Sequence, residues 1–514
     1  MKGFFENGLA AAIKIAVFST FLGAWGVSHA QTPDPDLTLM QGIEDASVSE
    51  ISEKMARSGL TSVALVEHLL DRISALDKQG PMINAIIELN PDAVSIAAAL
   101  DRERQEGRIR GPLHGIPILL KDNIDTGDRM QTTAGSLAMV GQPAAQDAFI
   151  VQKLRDAGAI ILGKTNLSEW ANFRGNGLPD GWSGRGGKTK NPHLLDGFAC
   201  GSSTGSAAGV AAGFAPLAVG TETSGSIVCP ASVNGVVGLK PTVGLLGRSG
   251  IIPVTRKLDT PGPMTRTVFD AALLLNAMQG FDPADPASAS VPNGEKDYTA
   301  NLTPGALEGR RIGYPNKFEP GSDASKKDPQ FAQALDTLRA AGAILIPTEV
   351  HDPNDGARVD QAMFMGLKRD LPAYLANRTG LAIQTVQDLV DFNRINPGPE
   401  GYGQEGLEGL SGIAFDEAVY NDLWRSINSE NGQVIDDLMA KHNLEALISD
   451  VESPAMNVAS LAGYPGIMVP SGIDADGLPA SVFFFGERWS DERLLAFAYS
   501  YEQASLARQV PTFR

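Results

Sequence analysis

Leu154-Arg-Asp-Ala-Gly-Ala-Ile-Ile-Leu162 recurs as Leu338-Arg-Ala-Ala-Gly-Ala-Ile-Leu-Ile346, with six of nine positions identical. In the first copy Ile150 to Asp156 reads as helix and Ala159-Ile-Ile-Leu162 as a short apolar strand. Two copies of a helix-to-strand connection indicate an α/β sheet and argue against a solenoid. Working outward, Ile116-Pro-Ile-Leu-Leu120 reads as another buried strand, ended by Lys121. Residues 45 to 106 read as helices. Ser47-Val-Ser-Glu50 has the capping-box pattern, and Thr61 would cap a helix with Leu65, Val66, Leu69, Leu70 and Ile73 on one face. Gly197 to Gly250 holds twelve glycines in 54 residues. It also holds Val210-Ala-Ala, Leu217-Ala-Val219 and Val236-Val-Gly-Leu239, which a linker would not. It is therefore read as packed structure in which backbone comes close to backbone or ligand. Residues 283 to 295 and 395 to 406 read as Pro/Gly-rich surface loops, and no stretch reads as a clean interdomain linker.

The 514 residues carry 42 Lys+Arg against 60 Asp+Glu, a net charge of -18. That balance argues against binding nucleic acid or an anionic membrane by charge alone. Apolar residues make up 43%, enough for a large core. Lys2 and Lys14 precede an apolar stretch, Ile15 to Val27, which ends in Ser28-His29-Ala30. The expectation is a signal peptide over residues 1–30, cut after Ala30, with one domain over 31–514 in the periplasm or outside the cell. An uncleaved anchor is the competing reading, but the stretch is short for a ~30 Å hydrocarbon core. No later run is long enough to span, so no stable membrane span is expected.

Two motifs fail on inspection. Gly158-Ala-Ile-Ile-Leu-Gly-Lys-Thr165 fits the phosphate-loop pattern, but its middle is a core strand where a phosphate cradle needs a loop. Gly201-Ser202-Ser203-Thr204-Gly205 fits the nucleophile-elbow pattern, with Ser203 as nucleophile and His351 or His442 as base. Its lead-in, Asn191 to Cys200, is not strand-like. His68, His114, His193, His351 and His442 show no ligand spacing on one helix and read as surface or loop residues; no metal is expected. Cys200 and Cys229 fit either a disulfide in an oxidising compartment or two small buried thiols.

One constellation remains. Lys121 ends a strand in Gly115-Ile-Pro-Ile-Leu-Leu-Lys-Asp-Asn123. Ser202 and Ser203 occupy a glycine-flanked loop before a small-residue helix, Ala207 to Ala215. Ser226 closes Gly220-Thr-Glu-Thr-Ser-Gly-Ser226, 24 residues after Ser202. Singly, Lys121 reads as a structural cation for Asp122 or Asp125, and the serines as helix caps. Together they are what a Ser-Ser-Lys hydrolase requires.

These residues resemble the amidase signature family. The resemblance runs through Gly115 to Asn123, Gly163-Lys-Thr-Asn166, Gly201 to Pro241, Asp259-Thr-Pro-Gly-Pro-Met264, Gly463 to Gly472 and Gly477-Leu-Pro479. Ser224-Gly-Ser-Ile-Val-Cys-Pro230, Asn166 to Arg174 and Thr242-Val-Gly-Leu look most like bacterial peptide amidases, which remove the carboxamide from peptide C-termini. The resemblance implies one large α/β domain, a mixed β-sheet covered by helices on both faces. It implies Ser226 as nucleophile, Ser202 as a bridging serine after a cis peptide bond, and Lys121 as base. It implies an oxyanion hole from the N–H groups of Thr223, Ser224, Gly225 and Ser226, with Ser203 assisting by hydrogen bonding and Ala171 lining the acyl site. Ser224 stands where many members have Gly, a change that keeps the backbone donor. No cofactor is implied. The C-terminal half, roughly 280 to 455, matches the family least; Trp424, Phe364, Tyr374 and Phe392 are expected to include the substrate-entry walls.

The chemistry sets a condition. A free lysine titrates near 10.4, so a base working at pH 7 needs a drop of roughly 3.4 units, or ~4.6 kcal/mol. Burial beside Ile118, Leu119 and Leu120 is the available cause. The leading expectation is an exported amide hydrolase acting on peptide amides. Fatty, aryl or other small amides are the alternative substrates. A monomer or homodimer is expected. A tRNA-dependent amidotransferase component conflicts with export, and a periplasmic solute-binding protein has no use for the Lys121, Ser202 and Ser226 set.

Overall fold

The repeated segment forms the same structure twice. Helix Phe149–Asp156 and helix Pro329–Ala340 each end two residues before a glycine with positive φ, Gly158 and Gly342. In both copies the glycine N–H bonds to an arginine carbonyl, and the alanine after it to a leucine carbonyl one residue earlier. The left-handed turn reverses the chain into a strand, and glycine takes that conformation without a Cβ penalty.

The structure is a computed structural model that describes residues 40–292, 294–398 and 400–514. The expected signal peptide therefore lies outside the described residues. Thirteen strands occur among them: β1 (Ile86–Leu89), β2 (Pro117–Lys121), β3 (Ile160–Thr165), β4 (Trp182–Ser183), β5 (Gly187–Lys188), β6 (Leu217–Glu222), β7 (Val237–Lys240), β8 (Thr260–Thr265), β9 (Arg311–Pro315), β10 (Ile344–Thr348), β11 (Ala446–Ser449), β12 (Gly466–Ile473) and β13 (Pro479–Phe485). Eleven form one mixed sheet in the order β1-β3-β2-β6-β8-β7-β12-β13-β11-β9-β10, while β4 and β5 pair separately. The two copies of the repeat thus supply β3 near one edge and β10 at the other. This is the α/β fold with helices over a mixed sheet that the sequence implied.

β3, β2 and β6 run parallel at the functional end of the sheet. All their residues are buried, as expected for strands covered on both faces. The capping box at Ser47 and the cap at Thr61 are both formed. Residues 45 to 106 are not all helical, however: β1 lies between helices Ser62–Leu76 and Ala93–Gln105. Pairing with β3 overrides the weak local signal of so short an edge strand. The small-residue helix spans Thr204–Ala211, earlier than expected.

Among the described residues, two satellite cores lie outside the main one. One joins Leu367, Leu371, Leu389 and Leu407 to Met139, Trp170 and Ile252; the other joins Met365, Tyr420, Trp424 and Ile427 to Leu258. Both are built largely from helices Gly356–Ala376, Val386–Ile395 and Glu417–His442. Those helices pack on the segment 251–259, which forms a wall of the pocket described next.

Candidate active site

β2 and β6 are parallel neighbours, so their carboxyl ends open on the same side of the sheet. Ligand crevices in α/β sheets form outside such ends. Lys121 ends β2 and Glu222 ends β6. Lys121 is fully buried; its Nζ donates to Ser202 Oγ at 2.8 Å and to the Thr221 carbonyl at 3.1 Å. The Gly201–Ser202 peptide bond is cis. Ser203 N–H donates to the Ser226 carbonyl at 3.1 Å, tying the loop before helix Thr204–Ala211 to the turn after β6. Cys200 and Cys229 are joined by a disulfide, so the two turns are also linked covalently.

Burial pulls the Lys121 ammonium down to about 7, against the opposing pull of Glu222 and Asp259. No carboxylate forms an ion pair with it among the described residues, which leaves desolvation dominant. Asp122 and Asp125 do not pair with Lys121. Asp125 meets Arg378 and Tyr374, Asp122 faces Arg185 and Thr133, and the field of both acts on buried Lys164. Lys164 donates to the Ile124 carbonyl at 2.6 Å and to Thr132 Oγ1 at 2.8 Å. Both buried lysines thus meet one carbonyl and one hydroxyl; Lys164 lies in the field of Asp122, Asp125, Asp128 and Glu88, and Lys121 in that of Glu222 and Asp259.

The turn Thr223–Ser226 is organised by Glu222. Its carboxylate accepts the N–H groups of Gly225 at 2.9 Å, Ile227 at 2.7 Å and Val228 at 3.0 Å, and the Ser460 hydroxyl at 2.7 Å. This corrects one expectation: the Gly225 N–H is committed to Glu222 and is not free for a ligand. The N–H groups of Thr223, Ser224 and Ser226 have no acceptor among the described residues. Ser203 makes its hydrogen bonds at the end of β6. Its hydroxyl donates to the Thr221 carbonyl at 2.9 Å and accepts the Thr221 N–H at 3.1 Å, so it clamps the loop to the end of β6. It does not cap the helix that follows. The Ser224 hydroxyl bonds Asn457 at 3.2 Å.

A pocket opens beside this turn. Ser202, Thr223 and Ala171 line it, with Asn123, Glu222 and Asp259 adding polar groups. Ile251, Ile252, Pro253 and Val254 form its apolar wall. Trp424, Phe364 and Phe392 do not line it; they pack into the satellite cores that hold the wall from behind. Tyr374 donates to Asp125 at 2.8 Å and lines a separate, more open groove. Asp259 accepts from Thr223 Oγ1 at 2.7 Å and from the Val254 and Thr255 N–H groups at 2.9 Å. Burial pushes the Asp259 carboxyl up to about 6, against the lowering effect of Thr223 and Arg248. Arg248 grips Asp285 with both arms and also reaches the Arg256 and Asp259 carbonyls, fixing the wall.

Glu222 and Asp259 were not singled out from sequence, although both lie inside the quoted motifs. The available signal was an acid embedded among small, turn-forming residues, which needs donors if it is to be buried. His114 and His193 are buried, not at the surface; His114 bonds the Leu100 carbonyl, and burial lowers His193 to about 4. No group of three or more His, Cys, Asp or Glu could hold a metal among the described residues.

The amidase family model matches residues 64–400. This chain belongs to the amidase family. It is 44% identical to the peptide amidase of Stenotrophomonas maltophilia, whose crystal structure superposes with a TM-score of 0.85 over 91% of this chain and 99% of that one. It is 39% identical over 489 residues to a probable amidase of Arabidopsis thaliana, covering 92% of each chain. It is also 33% identical over 499 residues to a component of the glutamyl-tRNA(Gln) amidotransferase of Thioalkalivibrio sulfidiphilus, covering 90% of this chain and 98% of that one. The amidase is accordingly a hydrolase of amide bonds.

Proposed function

We propose that this amidase removes the C-terminal carboxamide of peptides, releasing ammonia, through an acyl-enzyme on Ser226. The observation that carries the reading is the Lys121 Nζ–Ser202 Oγ contact of 2.8 Å in a site that favours neutral lysine. The Thr221 carbonyl holds one Nζ proton, which keeps Nζ beside Ser202. Neutral Lys121 takes the Ser202 proton, Ser202 takes the Ser226 proton, and Ser226 Oγ attacks the amide carbonyl carbon. The free N–H groups of Thr223, Ser224 and Ser226 are the available donors to the oxyanion, each worth ~2.7–4 kcal/mol in comparable hydrolases. As the C–N bond breaks, the relay returns a proton to the nitrogen, which leaves as ammonia. Water then cleaves the ester and restores Ser226.

The peptide assignment is supported by the likeness to the Stenotrophomonas enzyme over nearly the full chain. Export is proposed from the Lys2–Ala30 pattern. The Cys200–Cys229 bond supports it, since structural disulfides persist in oxidising compartments.

The test is mass spectrometry on a peptide amide, a fatty amide, an anilide and free glutamine, each with wild type and Ser226→Ala. Replacing the amide nitrogen by oxygen raises the mass of the peptide amide by about 1 Da. That change with wild type, absent with Ser226→Ala, is the expected result. Turnover of only the fatty amide or anilide would discard the peptide assignment and keep the mechanism. Turnover retained in Ser226→Ala would discard the nucleophile.

A further inference from the structure

Arg256 lines both the pocket beside Ser202 and a second, more open groove. The groove runs between residues 144–152, the 249–250 turn, the 282–284 loop and the end of helix Gly356–Ala376. Arg256 is half-buried. Its backbone is fixed on both sides: its N–H donates to Asp370 at 2.8 Å, and its carbonyl accepts from Arg248.

The charges lining the two cavities are otherwise matched. In the inner pocket Glu222 and Asp259 are satisfied by the turn and by the wall. In the outer groove Asp125 is held by Tyr374 and Arg378, Asp147 by Arg155 and the Gly127 N–H, and Asp282 by the Ser249 N–H and hydroxyl. Of the arginines, Arg248 is paired with Asp285 and Arg378 with Asp125. The Arg256 guanidinium has no acceptor among the described residues. The chain carries 60 acidic residues, yet among the described residues none pairs with the one side chain that both cavities share. A guanidinium is always charged and presents a fork of donors that matches a carboxylate.

We propose that Arg256 sets acyl-side specificity, binding a carboxylate carried by the substrate on the acyl side of the scissile amide. For a peptide amide, that group is an Asp or Glu side chain at or upstream of the amidated residue. The inference rests on the reading of the site as a peptide amidase for its substrate class, and only on the pocket geometry for the role of Arg256.

The test uses the full-length mature enzyme and blocked tripeptide amides in matched pairs, Glu against Gln, with the pair moved through each of the three positions. The readout is the ratio of kcat/KM, acidic to neutral, which cancels any general effect of a variant on catalysis. Wild type is expected to prefer Glu by about tenfold at one position, the scale of a charge-assisted hydrogen bond at a half-exposed site. Arg256→Gln should bring that ratio to about one, Arg256→Lys should keep part of it, and Arg256→Glu should favour a Lys-bearing amide instead. A wild-type ratio near one at every position would overturn the proposal, as would a preference that survives Arg256→Gln. If no peptide amide is hydrolysed but simple amides are, the peptide reading fails separately. Half-amides of dicarboxylic acids against their methyl esters then give the same ratio, with the same two overturning results.

Discussion

Cys200 and Cys229 are joined by a disulfide that links the residue just before the cis Gly201–Ser202 bond to the helix that starts two residues after Ser226. The bond and the Ser203 N–H to Ser226 carbonyl contact hold the same two turns together. With a sequence separation of 29, closing the loop stabilises the fold by about 3–4 kcal/mol in the chain-entropy account. The double variant Cys200→Ser, Cys229→Ser should lose that much in urea unfolding, with kcat falling more than KM rises. An unchanged denaturation midpoint would show that the noncovalent tie suffices.

Activity should require neutral Lys121. With the ammonium lowered to about 7, kcat/KM should fall about tenfold per pH unit below that value and level off above it. Lys121→Arg, permanently charged, should be inactive across the range. Stability carries the same signature. Between about 7 and the usual 10.5 the unfolded chain binds a proton that the folded chain does not. Stability should therefore rise with pH over that window, and Lys121→Met should flatten the rise. Parallel wild-type and Lys121→Met curves would contradict the lowered titration.

Glu222→Gln replaces an acceptor by an NH2 group facing backbone donors. The turn carrying Thr223, Ser224 and Ser226 should distort, lowering kcat by about a hundredfold and stability by about 2–3 kcal/mol. Steady-state kinetics with a denaturation curve checks both. Native kcat in Glu222→Gln would mean the turn holds its shape without the carboxylate.

Thr223→Val removes the 2.7 Å bond to Asp259. Thr223 opposes the burial that raises the Asp259 carboxyl to about 6, so the variant should move it higher still. The loss should lower kcat/KM about tenfold and loosen the 251–259 wall. Faster amide hydrogen exchange at Val254 and Thr255, whose N–H groups bond Asp259, would register the loosening. Unchanged exchange would count against Asp259 as the link between wall and turn.

Much of the sheet was legible because its signals are local. The Leu154–Leu162 repeat, the all-apolar run before Lys121 and the caps at Ser47 and Thr61 each depend on neighbours a few residues away. β1 was missed because a four-residue edge strand draws its stability from β3, which is distant in sequence. Three of the four aromatic residues expected at the entrance went to the cores for a related reason. Trp424, Phe364 and Phe392 are large and apolar, which fits a pocket lining and a packed core equally well; only the contacts of Ile252 and Leu258 place them behind the wall.

By itself the sequence determined the residue types that meet at the site: a lysine ending an apolar strand, and serines in two small-residue turns. It also determined the α/β class, because periodicity and the glycine-ended helix are properties of short segments. The tertiary structure alone decided which partner each group takes. Lys121 meets Ser202 while Lys164 meets Thr132, the Gly225 N–H goes to Glu222, Ser203 clamps Thr221, and Arg256 is left without a carboxylate among the described residues. The physical reason is that hydrogen bonds act over about 3 Å and burial sets their strength. Neither distance nor burial is a property of a segment; both arise when strands such as β2 and β6, distant in the chain, lie side by side.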